Sequence, residues 1–121
     1  MTSSLDTFLA VRSGLTAPQI ETANLQQRVQ KGEISVKIAA STRTPEGVTE
    51  GAYFRVLSQA KVNVEEAIFT LLLSHRRGYV KLDDFRRLLD LLSTTPSDLD
   101  QADYEKVTSL VDVLVKRIVM L

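Results

Sequence analysis

The chain has no cysteine and no tryptophan, and its single histidine is His75. Without cysteine there is no disulfide framework, no thiolate zinc site and no thiol catalysis. One imidazole leaves little for a catalytic triad or a metal, and no cofactor, no metal and no small-molecule substrate is expected. Nothing resembles a phosphate-cradling glycine loop, a His-Glu metal spacing or a nucleophile elbow, so an enzyme is not expected. No apolar run approaches the ~20 residues that cross a membrane, and no membrane partner is expected. Met1-Thr2-Ser3-Ser4-Leu5-Asp6 has neither a basic start nor a following apolar core, so no signal peptide is read there and a cytoplasmic location is expected. Net charge is missing as well, because fifteen Lys and Arg balance fifteen Asp and Glu. A role with polyanions must therefore come from local patches.

What is present suits a packed core: 121 residues with 44% hydrophobic content amount to a single domain. Ser4 before Leu5, Phe8, Leu9 and Val11, with Gly14 after them, predicts a short first helix. Thr16 offers an N-cap with Pro18 in the first turn, and the stretch reaches Lys31 and Gly32, so a second helix is predicted there. Its apolar positions, Ile20, Ala23, Leu25 and Val29, are sparse, which predicts a surface helix or one with a narrow stripe against a partner. Glu33-Ile34-Ser35-Val36-Lys37-Ile38 alternates at period two, the pattern of a half-buried strand; the other reading is a lead-in to a helix through Ile38-Ala39-Ala40. Ser41 to Glu46, with Pro45, reads as a loop.

Beyond Gly51 neither Gly nor Pro interrupts the chain until Gly78, and Ala52, Val56, Ala60, Val64, Ala67 and Leu71 keep helical spacing throughout. This predicts one helix of about 27 residues, roughly 40 Å long at 1.5 Å per residue, which needs company at one end. Leu82, Phe85, Leu88, Leu89 and Leu92 predict a helix from about Lys81 to Ser93, with Asp83 and Asp84 favouring its first turn. After a loop at Thr94-Thr95-Pro96-Ser97, the positions Val107, Leu110, Val111, Leu114, Val115, Ile118 and Val119 predict a last helix from about Leu99. The fold class is thus mainly α: a bundle of about five helices around one long central helix, with a short β-strand near residues 33–38. The single domain 1–121 divides into N-terminal helices, strand and loop (1–46) and a three-helix core (47–121).

Charge is segregated along the chain. Arg28 to Lys61 holds Arg28, Lys31, Lys37, Arg43, Arg55 and Lys61 against Glu33, Glu46 and Glu50, and Ser74 to Arg87 holds Arg76, Arg77, Lys81, Arg86 and Arg87 against Asp83 and Asp84. Each is a local +3. Asp90, Asp98, Asp100, Asp103 and Glu105 face only Lys106 in the segment that compensates them. His75, Arg76 and Arg77 also suit the negative end of the long helix, an ordinary basic cap.

The most distinctive local run is Gly47-Val48-Thr49-Glu50-Gly51-Ala52-Tyr53-Phe54-Arg55-Val56-Leu57. It resembles the turn and recognition helix of helix-turn-helix DNA-binding regulators, in particular the TetR-type pattern of Gly-Val-Ser/Thr-x-Gly-x-x-aromatic. The Ile-Ala pair that opens the preceding helix in that pattern stands four residues early, at Ile38-Ala39, with Pro45 following. The resemblance implies that Thr49, Tyr53 and Arg55 approach double-stranded DNA, with Lys37 and Arg43 upstream on phosphates, and Lys61 extends the basic segment. His75, Arg76, Arg77, Lys81, Arg86 and Arg87 form a secondary basic patch. The same run also fits an ordinary capped core helix after a Pro-Gly loop. The leading expectation is a small dimeric DNA-binding protein, a transcriptional regulator or nucleoid-type factor. The alternative is a non-catalytic helical module for protein–protein interaction or assembly.

Overall fold

The computed structural model describes residues 2–121. In chain order they form β1 (Thr2–Ser4), α1 (Leu5–Arg12), α2 (Ala17–Gln30), α3 (Val36–Thr42), α4 (Glu50–Arg77), α5 (Leu82–Ser93), β2 (Asp98–Asp100) and α6 (Gln101–Ile118). The class is mainly α with one long central helix, as the spacing predicted. Contacts divide the chain into two compact units, Ser13–Ile68 and, around it in sequence, the chain up to Arg12 together with Phe69–Leu121. α4 runs without interruption from the first unit into the second.

In Ser13–Ile68 the local signals act as chemistry requires. Thr16 Oγ1 accepts from the Gln19 backbone N–H while the Gln19 side chain accepts from the Thr16 N–H, a reciprocal capping box that starts α2. Far from lying idle on the surface, α2 packs on α3 and buries Leu25, Thr22 and Gln19. Polar side chains tolerate that burial because each is hydrogen-bonded, Gln19 to Asn63 Nδ2 at 2.9 Å and Thr22 to Arg43.

The strand expected near residues 33–38 is not there. Ser35 Oγ accepts from the Ile38 N–H at 3.2 Å, so it caps α3, and Val36, Lys37 and Ile38 are that helix's first turn. A six-residue alternation is also what a capped helix start looks like, and no second strand stood nearby to pair with it. Ala39 and Ala40 are buried in a cluster with Leu25, Tyr53 and Leu57.

The other unit has its own cluster, made by Leu5 and Phe8 of α1, Leu88 of α5, Leu99 of β2, and Val111 and Ile118 of α6. Beside α5 and α6 in this cluster stands α1, and α4 contributes no residue to it. β1 and β2 pair antiparallel, with Ser3 opposite Leu99, a ladder with no alternating pattern to announce it. The chain end is held by Lys81 N–H donating to the Ile118 carbonyl at 2.8 Å and Met120 N–H to that of Tyr79 at 2.7 Å. Asp83 and Asp84 occupy the first turn of α5, and Asp100 caps α6 by accepting from the Asp103 N–H. Among the described residues no helix is long and apolar enough to cross a membrane.

Candidate nucleic-acid interface

Between α3 and α4 the backbone makes a tight turn whose parts are each required. Gly47 has φ +80°, a left-handed conformation, and a Cβ there would lie 2.8 Å from the Ser41 carbonyl oxygen. Only glycine meets both conditions without strain. Val48 N–H then donates to the Ala40 carbonyl at 2.9 Å, tying the turn back to α3. Thr49 Oγ1 accepts from the Ala52 N–H at 3.1 Å and so satisfies one of the orphan donors at the start of α4. α3, turn and α4 thus make a two-helix unit, with α2 packed on α3.

The predicted contact residues separate into two groups. Lys37, Thr49, Arg55 and Lys61 are exposed. Arg43 and Tyr53 are not: Arg43 is 6% exposed and Tyr53 is wholly buried, so neither is placed to touch a ligand, a correction to both assignments. Tyr53 packs with Ala39, Ala40 and Leu57, and its hydroxyl donates to Gln26 Oε1 at 2.8 Å. Burial pushes its phenol up from the ordinary value.

Arg43 belongs to a buried ion-pair network. Its Nε donates to Glu21 Oε1 at 2.7 Å and its Nη1 to Thr22 Oγ1 at 2.9 Å. Glu21 also accepts from the Thr44 N–H at 2.8 Å and the Thr44 hydroxyl at 2.7 Å. Partial burial by itself pushes the Glu21 carboxyl up, but the hydrogen bonds from Thr44 and Arg43 outweigh it and hold the group below its usual value. The segment read as the loosest loop is therefore fastened to α2 by four charge-assisted bonds.

Arg55, Gln59, Asn63, Glu66, Thr70 and Ser74 stand in register on the polar face of the predicted helix, the side expected to meet solvent or a ligand, and the first turns of α4 turn Arg55 and Gln59 outward. Arg55, Ser58, Gln59 and Val62 recur at i, i+3, i+4 and i+7 and line an open recess with Gln19 and Asn63. Gly51, one turn before Arg55, has nothing within 4 Å of where a Cβ would stand, so the backbone there is approachable.

The secondary patch spans successive elements. His75, Arg76 and Arg77 occupy the last turn of α4, Lys81 is the residue before α5, and Arg86 and Arg87 lie within α5; all are exposed. Among the described residues the patch makes one ion pair, Arg87 with Asp84 at 3.5 Å. No group of His, Cys, Asp or Glu among the described residues is arranged to hold a metal. Comparison with protein-family models, with curated proteins and with solved structures finds no match for the chain.

Proposed function

We propose that the chain is a DNA-binding protein in which α3, the Gly47 turn and the start of α4 act as a helix-turn-helix unit, with α4 as the reading helix. The observation that carries this is the packing of Ala39 and Ala40 against Tyr53 and Leu57 behind a tight glycine turn, which leaves Arg55, Ser58 and Gln59 on the open side of α4. A helix so mounted is narrow enough for the major groove, where residues of its first turns meet base edges. Arg55 is the natural guanine reader, since its planar fork matches two acceptors, and Ser58 and Gln59 supply hydrogen bonds one turn on. The capped start of α4 brings free backbone N–H groups toward a phosphate. Lys37 and Lys61, exposed on α3 and α4, are phosphate contacts that hold the register.

The roles of Arg43 and Tyr53 change in this reading. Both build the unit from inside, and neither meets the duplex.

Fluorescence polarisation against a pool of duplex DNA at two salt concentrations tests the proposal. Binding that falls steeply with salt, and that selection narrows to a sequence preference lost in Arg55→Ala, is the expected result. Absence of binding at low salt overturns it and leaves the assembly-module reading.

A further inference from the structure

α4 continues well past its reading segment, and there it carries apolar side chains that nothing covers. Phe69 is 69% exposed and Leu73 57%, and Ile68 and Leu72 are similarly open. Lone exposed leucines are common, but a contiguous block of four on adjacent turns of one helix is a contact surface. The block is bracketed by Glu65 and Arg76, both exposed and neither in an ion pair among the described residues.

The placement of that bracket decides the occupant. Glu65 and Arg76 stand about three turns apart and so fall on nearly the same side of α4, in line with Leu72 and between Ile68 and Phe69. The seam therefore reads acid, apolar block, base. A second copy laid antiparallel, with its two-fold axis between Thr70 and Leu71, sets Glu65 against the other chain's Arg76 twice, Ile68 against Leu73 and Phe69 against Leu72. A parallel copy sets acid on acid and base on base. Charge complementarity thus selects both the partner and its direction.

We infer that α4 pairs with α4 of a second copy of this chain in antiparallel register, the apolar block Ile68–Leu73 at its centre and a Glu65–Arg76 ion pair at each end. The inference names the partner in a DNA-binding dimer but draws on no residue of the reading segment. A seam of about three helical turns is small for a specific interface, so the pair is weak and reversible.

Sedimentation equilibrium of the full chain from about 5 to about 200 µM tests it, with circular dichroism to show that each variant keeps its helix. A monomer–dimer equilibrium is expected, weakened at least tenfold by Glu65→Arg or by Arg76→Glu alone. It returns to within about threefold of the original in the double variant, which restores opposite charges. Direction is read separately, because the chain has no cysteine of its own. Glu65→Cys and Arg76→Cys proteins mixed under mild oxidation should give the mixed disulfide, since like positions lie on opposite sides of the two-fold axis, about 16 Å apart along the helices. A monomer throughout the range, a dimer indifferent to both charge reversals, or disulfides between like positions overturns the inference. DNA binding measured on the same samples reports independently: a monomer that still binds DNA sinks the pairing and spares the function, and a dimer without DNA affinity does the reverse.

Discussion

Arg43 and Glu21 are joined at 2.7 Å, a bond that links the end of α3 to α2 through a guanidinium with almost no access to water. Removing the arginine leaves a carboxylate without its strongest donor. Arg43→Ala should therefore destabilise Ser13–Ile68 by about 2–3 kcal/mol, the range for losing one partner of a largely buried charged pair. Native-state hydrogen exchange at the α2 and α3 amides measures it. Protection of α5 and α6, which belong to a separate cluster, should stay within error.

Glu21 makes the same network sensitive to acid. Its carboxyl is held below the ordinary value of 4.5, so folding favours the ionised form. The stabilisation is complete above about that value and is lost as pH falls below it, through the folded-state value. Exchange protection of α2 should drop on going from pH 7 to pH 3 in the original protein. In Glu21→Gln the drop should be smaller, with a lower starting point at pH 7.

Gly47 offers a test with no charge involved. Gly47→Ala places a methyl 2.8 Å from the Ser41 carbonyl in a conformation that alanine avoids, and should cost about 2–3 kcal/mol. Gly51→Ala is the control. Its site is open and lies inside a helix, so the change should add about 0.5–1 kcal/mol of stability. Urea midpoints of the two variants should move in opposite directions.

Tyr53 separates packing from contact. Tyr53→Phe loses only the bond to Gln26 and should cost about 1 kcal/mol, whereas Tyr53→Ala empties a fully buried site and should cost about 3–5 kcal/mol. On DNA the prediction is sharper. Tyr53→Phe should leave affinity unchanged, since no part of the ring is exposed.

Exposed bases should divide by role. Arg55→Ala should cost about 1–3 kcal/mol on a preferred duplex and relax the sequence preference at one position. Lys37→Ala and Lys61→Ala should weaken binding to all sequences alike, each reducing the slope of log affinity against log salt by about 1. Polarisation titrations at several salt concentrations distinguish the two patterns.

Much of the helical framework was legible because its signals are local. Thr16 with Pro18 in the first turn, the clean run from Gly51 to Gly78, and Lys81 to Ser93 all describe one element each and need nothing distant. Residues 33–38 misled because Glu33-Ile34-Ser35-Val36-Lys37-Ile38 has both a strand's alternation and a serine able to cap Ile38. The pairing of β1 with β2 left no trace, since Thr2-Ser3-Ser4 and Asp98-Leu99-Asp100 have no pattern of their own. Within the proposed site, Thr49 and Arg55 come from the run at residues 47–57 and both are exposed, whereas the burial of Arg43 depends on Glu21, which a different helix supplies. Val64, Ile68 and Leu72 sit at core spacing yet stand open to solvent, because period reports which side of a helix is apolar and says nothing of what lies against it.

The ladder between β1 and β2 carries a consequence for the order of events as the chain is made. Ser3 cannot meet Leu99 until that segment has left the ribosome, and closing so long a loop carries a larger entropic cost than any contact inside Ser13–Ile68. The inserted unit has its whole cluster, from Leu25 to Leu57, in hand much earlier. It can therefore fold while α5 and α6 are still being synthesised, and α1, made before the inserted unit, docks after it.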